Sequence, residues 1–179
     1  PKRTGDDFRL KGENAETAVF ELAQRSFFTD WCYPNPRWPD GKELCDLLVV
    51  FDSTAVIWQI KDLQLDDQGQ PSASEVQKNL QQLAGARRHL FDLKRDITLE
   101  NPRRGPEQFD PATIKEIFLI SVLMGPSADS MPFAEELKKH TIHVMDRSFL
   151  EKALRELDTI ADFTAYLRTK EELFRNLPH

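Results

Sequence analysis

The chain has 179 residues, of which 40% are hydrophobic and 30% charged, and its formal net charge is −6 at pH 7. These values are typical of one globular domain, and they exclude a protein held to nucleic acid mainly by bulk positive charge. No apolar run approaches the roughly 18 residues of a membrane span, so we expect no membrane association. Cys32 and Cys45 have neither metal-ligand nor disulfide-framework spacing, which favours a reducing, cytoplasmic location.

The first 42 residues predict a helix, a short strand and a loop. Apolar side chains recur at helical spacing from Gly12 to Phe27, whereas residues 1–11 are polar and expected to fray. Glu16 borders the apolar face of this helix, so it is the acidic side chain there that can turn inward. Residues 29–42 contain three prolines and an Asp-Gly pair, which favour a short strand followed by an irregular loop.

Two apolar segments, one before and one after the polar pair Asp52-Ser53, predict a hairpin of buried strands. A symmetric turn at this pair places Asp46 directly opposite Gln59, and Lys61 follows on the same face because side chains alternate. Opposed residues have Cβ atoms about 4.5–5.5 Å apart. We therefore expect a carboxylate, an amide and an ammonium group to converge, whereas a turn of odd length would separate them.

The second half of the chain predicts alternating helices and strands. A polar linker at 66–71 precedes a long helix that Ser72 or Ser74 would cap and that would run to about Lys94. The elements predicted after it are a short strand at 96–100, a loop at 101–106, a buried strand at 114–123, a helix at about 131–139, a strand at 142–145 and two closing helices.

This order of elements predicts an α/β sandwich with a central mixed sheet between helical layers. Residues 12–146 would form its core. Residues 147–179 would form helices that either pack on this core or lead to a further domain. The closing helices are also a candidate surface for a homodimer.

The second helix carries the densest positive charge of the chain near its end. Arg87 and Arg88 belong to this basic cluster, and Gln77, Gln81 and Arg88 share one side of the helix by their spacing. Basic residues are electrostatically favourable at a helix C-terminus, where they are usually solvated. A solvated helix end and a role in contacting phosphate groups are therefore about equally supported.

Asp46 lies in an apolar segment, where a buried carboxylate is costly unless a cation or hydrogen bonds compensate it. One interpretation is a structural ion pair with Lys61. The other is a divalent cation, since Mg²⁺ needs only one or two carboxylates and keeps several waters. The histidines have no zinc-ligand spacing, and the sequence contains no glycine-rich phosphate loop.

Glu16 on the first helix, Asp46 on the second strand and Gln59-Ile60-Lys61 on the third resemble the motif of the PD-(D/E)xK nuclease superfamily. The likeness is greatest to the Mrr-like restriction endonucleases, which often have Gln in the (D/E) position. The order of helix, three strands, helix and strand over residues 12–123 is similar as well. The resemblance implies a restriction-endonuclease-like α/β/α sandwich.

The resemblance also implies a Mg²⁺-dependent (or Mn²⁺-dependent) endonuclease that hydrolyses DNA phosphodiester bonds. Asp46 and Glu16 would hold the metal, with the Ile60 carbonyl and Gln59 Oε1 completing the site. Lys61 would orient or deprotonate the attacking water. DNA would be the partner, and its backbone would be contacted by Gln77, Gln81, Arg87 and Arg88.

Two departures from the superfamily motif leave alternatives open. Cys45 stands in the place of the motif's proline, and Gln59 replaces an acidic ligand, which lowers the expected cation affinity. Besides an active nuclease, the sequence is compatible with a catalytically silent module of the same fold that binds nucleic acid or a protein partner. A third possibility is a structural α/β domain in which Asp46 and Lys61 form only an ion pair.

Overall fold

A computed structural model describes residues 5–27, 29–63, 65, 72–125, 128, 134–137, 139–157 and 159–176, and the side chains of the first helix from Asn14 onward. The predicted linker at 66–71 lies outside these residues. The main elements are α1 Gly5–Phe27, β1 Cys32–Pro34, β2 Leu47–Phe51, β3 Thr54–Asp62, α2 Ala73–Arg87, β4 Ile97–Asn101, β5 Gly105–Phe109, β6 Glu116–Met124, β7 Ala134–Leu137, β8 His140–Asp146, α3 Arg147–Glu156 and α4 Ile160–Arg175.

Six strands form a central mixed sheet in the order β1-β2-β3-β6-β8-β7, and β4 pairs with β5 in a separate hairpin. The neighbours β3, β6 and β8 are parallel, whereas β1, β2 and β7 are antiparallel to their neighbours. The connection between the parallel strands β3 and β6 contains α2, as such a crossover usually requires. The parallel strands β6 and β8 are instead connected through the antiparallel strand β7, so the predicted alternation of helices and strands does not extend through this part of the chain. The predicted α/β class with a central mixed sheet is therefore confirmed.

The sheet separates two apolar clusters. Val56 and Trp58 face α1, α3 and α4, whereas Ile57 and Leu119 face α2 and the β4–β5 hairpin. Successive residues of a strand point to opposite faces, so the nearly continuous apolar sequence of β3 is that of a strand covered on both sides.

The closing helices pack on the sheet through α4. The ring of Phe163 stacks on Trp58 with centroids 5.7 Å apart and also contacts Phe27 at 5.1 Å. At the surface, the Arg168 guanidinium makes two hydrogen bonds, of 2.5 and 2.6 Å, to the Glu116 carboxylate. Buried aromatic area of this kind fixes α4 to the same core as α1.

Helix α2 runs antiparallel to β3 because it connects β3 to the parallel strand β6. Its first turn lies beside the C-terminal end of β3, where Glu75 contacts Lys61. Its last turn lies beside the start of β6, where Arg87 and Ile117 line a common cavity. Twelve residues separate these two ends of the helix, which corresponds to about 18 Å along its axis.

Two predicted boundaries and one predicted element are wrong. Helix α1 begins at Gly5 rather than Gly12. Helix α2 ends at Arg87, and the chain continues to residue 92 as one wide helical turn instead of a regular helix to Lys94. The helix predicted at 131–139 is, over its described residues, strand β7.

Non-local pairing explains the strands that local patterns do not predict. The Ala-Glu-Glu-Leu sequence of β7 favours a helix, but these residues complete the open edge of β8. Strand β5 begins at Gly105-Pro106, a pair typical of loops. The proline is tolerated there because β5 belongs to a two-stranded ribbon, in which a strand has a free edge.

Candidate functional site

The hairpin of β2 and β3 has the predicted register. Leu47 pairs with Trp58, and the pairing continues to Phe51 and Thr54 on either side of a two-residue turn. Asp46 immediately precedes β2, and its N–H donates to the Trp58 carbonyl at 3.2 Å. Because the turn has an even number of residues, Asp46 lies beside Gln59 and Ile60 of β3.

The Asp46 carboxylate is buried and held by two donors. Its Oδ1 accepts a hydrogen bond of 2.8 Å from Gln59 Nε2, and its Oδ2 accepts one from the Ile60 N–H. Asp46 is only 6% exposed. The amide nitrogen of Gln59 faces the carboxylate, whereas the sequence predicts that Gln59 Oε1 faces the metal. Ile60 contacts Asp46 through its N–H, whereas the resemblance implies that its carbonyl binds the metal.

Glu16 lies at this site, as a functional cluster requires. Glu16 and Asp46 line one cavity of about 170 Å³, together with Thr17 and Phe20 of α1 and the start of the loop that follows β1. Glu16 reaches this cavity because α1 is a long helix that packs against β3 and because Glu16 borders the apolar face of α1. Two carboxylates from distant parts of the sequence thus share one small cavity.

A third carboxyl group, that of Glu43, is close enough to affect Asp46. The pKa of the Asp46 carboxyl is raised to about 8, chiefly by burial and next by a hydrogen bond with the Glu43 carboxyl. The Ile60 N–H opposes this increase, whereas the negative charges of Glu16 and Glu43 add to it. Like charges in a poorly solvated place disfavour ionisation. The cluster therefore retains a proton near neutral pH unless a cation replaces it.

Lys61 does not neutralise Asp46. Its Nζ lies 3.0 Å from Oε1 of Glu75 on α2, and both side chains are about one-third exposed. The interpretation of Asp46 and Lys61 as a structural ion pair is therefore wrong. Lys61 still follows Gln59 by two residues on the same face of β3, so its ammonium group lies at the same end of the sheet as Asp46.

A buried polar row extends the site across the sheet. Ser121 pairs with Gln59 in the register of β3 and β6, and its Oγ donates to Asn79 Oδ1 at 2.6 Å. Among the residues that the structure describes, Asn79 Nδ2 is buried without a hydrogen-bond partner. Glu75 and Asn79 are four residues apart on α2 and face the sheet together.

Four further residues of the site are not predicted from the sequence: Glu43, Glu75, Asn79 and Ser121. A signal existed for Asn79, which interrupts the apolar stripe of α2 between Val76 and Leu83. A polar residue at such a position is usually matched by a polar partner. Glu75 lies one turn before Asn79 on that stripe.

The four residues predicted to contact DNA are not gathered at Asp46. Both glutamines are exposed, Gln77 in the first half of α2, toward the end of the sheet that carries Lys61, and Gln81 near the middle of the helix. Arg87 and Arg88 lie at the other end of the helix, and Arg87 pairs with Asp92 at 2.6 Å. The antiparallel course of α2 separates the two pairs, which helical spacing alone does not show.

The donor chemistry at Asp46 suits a hard divalent cation. Carboxylate and amide oxygens are the ligands that Mg²⁺ prefers, and one or two protein carboxylates suffice because the ion keeps several waters. Within the described part of the chain, no three His, Cys, Asp or Glu side chains form a ready-made metal-binding group. The fit is thus to a cation bound mainly by Asp46 and Glu16, with water in its remaining positions.

Comparisons of the chain with protein-family models, with curated proteins and with solved structures found no match. Over the described residues, no helix has both the length and the apolar character needed to cross a bilayer. The function must therefore be inferred from the chemistry of the site itself.

Proposed function

We propose that this chain is a Mg²⁺-dependent nuclease of the PD-(D/E)xK type that hydrolyses DNA phosphodiester bonds. The observation that carries the proposal is the buried Asp46 carboxyl, which shares a cavity with Glu16 and whose pKa is raised to about 8. Strongly perturbed pKa values in a cavity are typical of functional sites. A cation with two positive charges would remove the repulsion among these carboxylates.

The fold supports the same proposal. A helix, three antiparallel strands and a crossover helix follow one another from α1 to α2, and the parallel strand β6 comes after an inserted β4–β5 hairpin. Apart from the inserted hairpin, this order resembles that of the restriction-endonuclease-like core, as the motif also does. Mg²⁺ or Mn²⁺ would be held by Asp46 and Glu16, and the bound cation would stabilise negative charge developing on the phosphoryl oxygens.

The chain's own residues have separable roles in this proposal. Gln59 and the Ile60 N–H fix the orientation of the Asp46 carboxylate through their hydrogen bonds. Lys61 is the group that would hold or deprotonate the water that attacks phosphorus. Its ammonium group pairs with Glu75, so Glu75 is a positioning residue for Lys61 in the absence of DNA.

The alternative function is a catalytically silent module of the same fold that binds nucleic acid or a protein partner. Two observations favour it: Gln59 directs an amide nitrogen at Asp46, and Lys61 is neutralised by Glu75. Both side chains would have to rearrange for the roles that the resemblance implies. A binding module requires no such rearrangement.

A cleavage assay separates the two functions. Wild-type protein is incubated with single-stranded, double-stranded and branched DNA in Mg²⁺ or Mn²⁺, alongside Asp46→Asn and Lys61→Ala. Each substitution should reduce cutting by at least about 100-fold, since each removes a group required for the chemical step. Asp52→Asn and Lys42→Ala, at exposed positions, serve as matched controls and should retain activity.

The outcome that refutes the nuclease is equally definite. If the wild type cuts none of the three substrates with either cation, the enzyme proposal is wrong. DNA binding without cutting would then support the silent module. Cutting that persists in Asp46→Asn would show that another site performs the reaction.

A further inference from the structure

A second polar cavity, of about 230 Å³, lies at the opposite end of the sheet from Asp46. It is found where β6 and β8 begin and where α2 and α4 end. We call it the basic cleft, and its basic lining residues are Arg87, Lys115, Lys139, His140 and Arg175. Lys61 pairs with Leu123 near the other end of β6. Six residues of β6 separate Leu123 from Ile117 in the cleft, which is about 20 Å of strand.

The charge of the cleft is opposite to that of the whole chain. Four permanently basic side chains line it, with Glu171 as its acidic lining residue, although the chain as a whole carries −6. Arg87 pairs with Asp92 at 2.6 Å, and Arg175 pairs with Glu171 at 2.7 Å. These acidic partners hold the two guanidinium groups in place at the cleft.

The two lysines have no such partners. Among the described residues, neither Lys115 nor Lys139 has an acidic side chain within 4.0 Å, and both are exposed. They come from different elements, Lys115 from the approach to β6 and Lys139 from the turn between β7 and β8. Two unpaired ammonium groups that face one cavity repel each other, and this repulsion is relieved when an anion binds between them.

The pKa of His140 is also affected by the positive charge at the cleft. Burial lowers the pKa of the His140 imidazole, and the positive charge of Arg87 lowers it further, with a smaller opposing effect from Asp92. A cavity of 230 Å³ holds roughly eight water volumes. It therefore has room for a tetrahedral oxyanion with part of its hydration shell.

We propose that the basic cleft is a binding site for a phosphate group, carried either by a polynucleotide backbone or by a small phosphorylated ligand. Arginine forks and lysine ammonium groups together provide the donors that phosphate oxygens accept. The cleft contains neither Asp46 nor Glu16, so this proposal does not depend on the nuclease. It gives Arg87 a role at the far end of α2, away from the scissile bond.

The proposal can be tested by calorimetric titration in about 50 mM salt, because charge contacts are strong at low ionic strength. The probes are inorganic phosphate and an oligothymidine without terminal phosphates, both without divalent cation. The test variant is Lys115→Gln with Lys139→Asn, because asparagine tolerates the left-handed backbone of Lys139, whose φ is +67°. The matched control is Lys152→Gln with Lys94→Asn, since Lys94 has a φ of +47° and neither residue lines the cleft.

We expect the wild type and the control to bind at least one probe, and the test variant to bind it at least about tenfold more weakly. Binding of phosphate alone identifies a small ligand, and displacement of phosphate by the oligonucleotide identifies a polynucleotide. Equal affinity of wild type and test variant, or no binding of either probe to the wild type, overturns the proposal. An equal loss in the control overturns it too, because bulk charge would then explain the binding. Asp46→Asn must leave the affinity for inorganic phosphate unchanged, because Asp46 does not line the cleft.

Discussion

The folded chain should lose stability between pH 5 and pH 8 because of Asp46. Its carboxyl has a pKa of about 8 in the folded chain, against an ordinary value of 3.8. Between these two values the unfolded chain releases a proton that the folded chain keeps, so rising pH favours unfolding. The stabilisation that comes from this proton is complete below the pKa of Asp46 in the unfolded chain. It is lost as the pH rises through the pKa of Asp46 in the folded chain. For an aspartate in a salt bridge, the stability of the folded chain would instead increase with pH.

The size of the effect follows from the two pKa values. Each unit of pKa difference corresponds to about 1.36 kcal/mol, and integrating both titrations from pH 5 to pH 8 gives a loss of about 3–4 kcal/mol. The neighbouring charges of Glu16 and Glu43 contribute to the raised pKa of Asp46. A change of this size is a large fraction of the stability of an ordinary domain.

Urea denaturation of the wild type and Asp46→Asn at several pH values between 5 and 8 measures this loss. At pH 5 the variant should be less stable by about 1–3 kcal/mol, because its amide leaves one of the two donors, from Gln59 or Ile60, without an acceptor. At pH 8 the wild type should have fallen to the level of the variant or below it. Asp52→Asn, in the exposed turn, should follow the wild type. Parallel curves for the wild type and Asp46→Asn would refute this reasoning.

Three further substitutions test separate parts of the structure. Gln59→Glu should raise Mg²⁺ affinity by at least about tenfold if Gln59 lies at the cation, since it adds a charged oxygen ligand; an unchanged calorimetric affinity would remove Gln59 from the site. Ser121→Ala should cost about 1–3 kcal/mol in urea denaturation because it leaves Asn79 without its hydrogen bond. Changing Asn79 to Leu as well should recover part of that loss, and no recovery would contradict the explanation. Asn101→Ala should cost at least about 2 kcal/mol, because its side chain donates to three carbonyls and accepts from two backbone N–H groups; a smaller loss would show that water replaces these bonds.

Local patterns in the sequence predict the part of the site that the hairpin builds. The parity of a two-residue turn is enough to bring Asp46 to Gln59, because strand pairing and side-chain alternation then leave no freedom. The inward position of Glu16 follows similarly from helical spacing and from its place beside the apolar stripe of α1. These are short-range rules, and they hold here.

The partner of Lys61 and the position of Arg87 in the fold depend on packing that no local pattern contains. Lys61 meets Glu75 because α2 docks with its first turn over the end of β3, and Arg87 lies far away because the same helix must return to the start of β6. The strand at 134–137 depends in the same way on the free edge of β8. Non-local contacts outweigh weak intrinsic propensities wherever the two disagree.

The electrostatics of the site bear on the choice between a nuclease and a silent module. A chain under selection only for stability would pair the buried Asp46 with Lys61 or replace it, because a buried carboxyl with a raised pKa lowers the stability of the fold near neutral pH. Instead Lys61 is paired with Glu75, and Asp46 has two further acidic neighbours. Destabilising arrangements of this kind are typical of sites at which a bound group supplies the missing charge. Mg²⁺ should therefore restore at pH 8 the stability that the wild type loses there, and it should have no such effect on Asp46→Asn. A module without cation affinity predicts the same pH profile with and without Mg²⁺, so an unchanged profile would refute the Mg²⁺-dependent nuclease without any substrate.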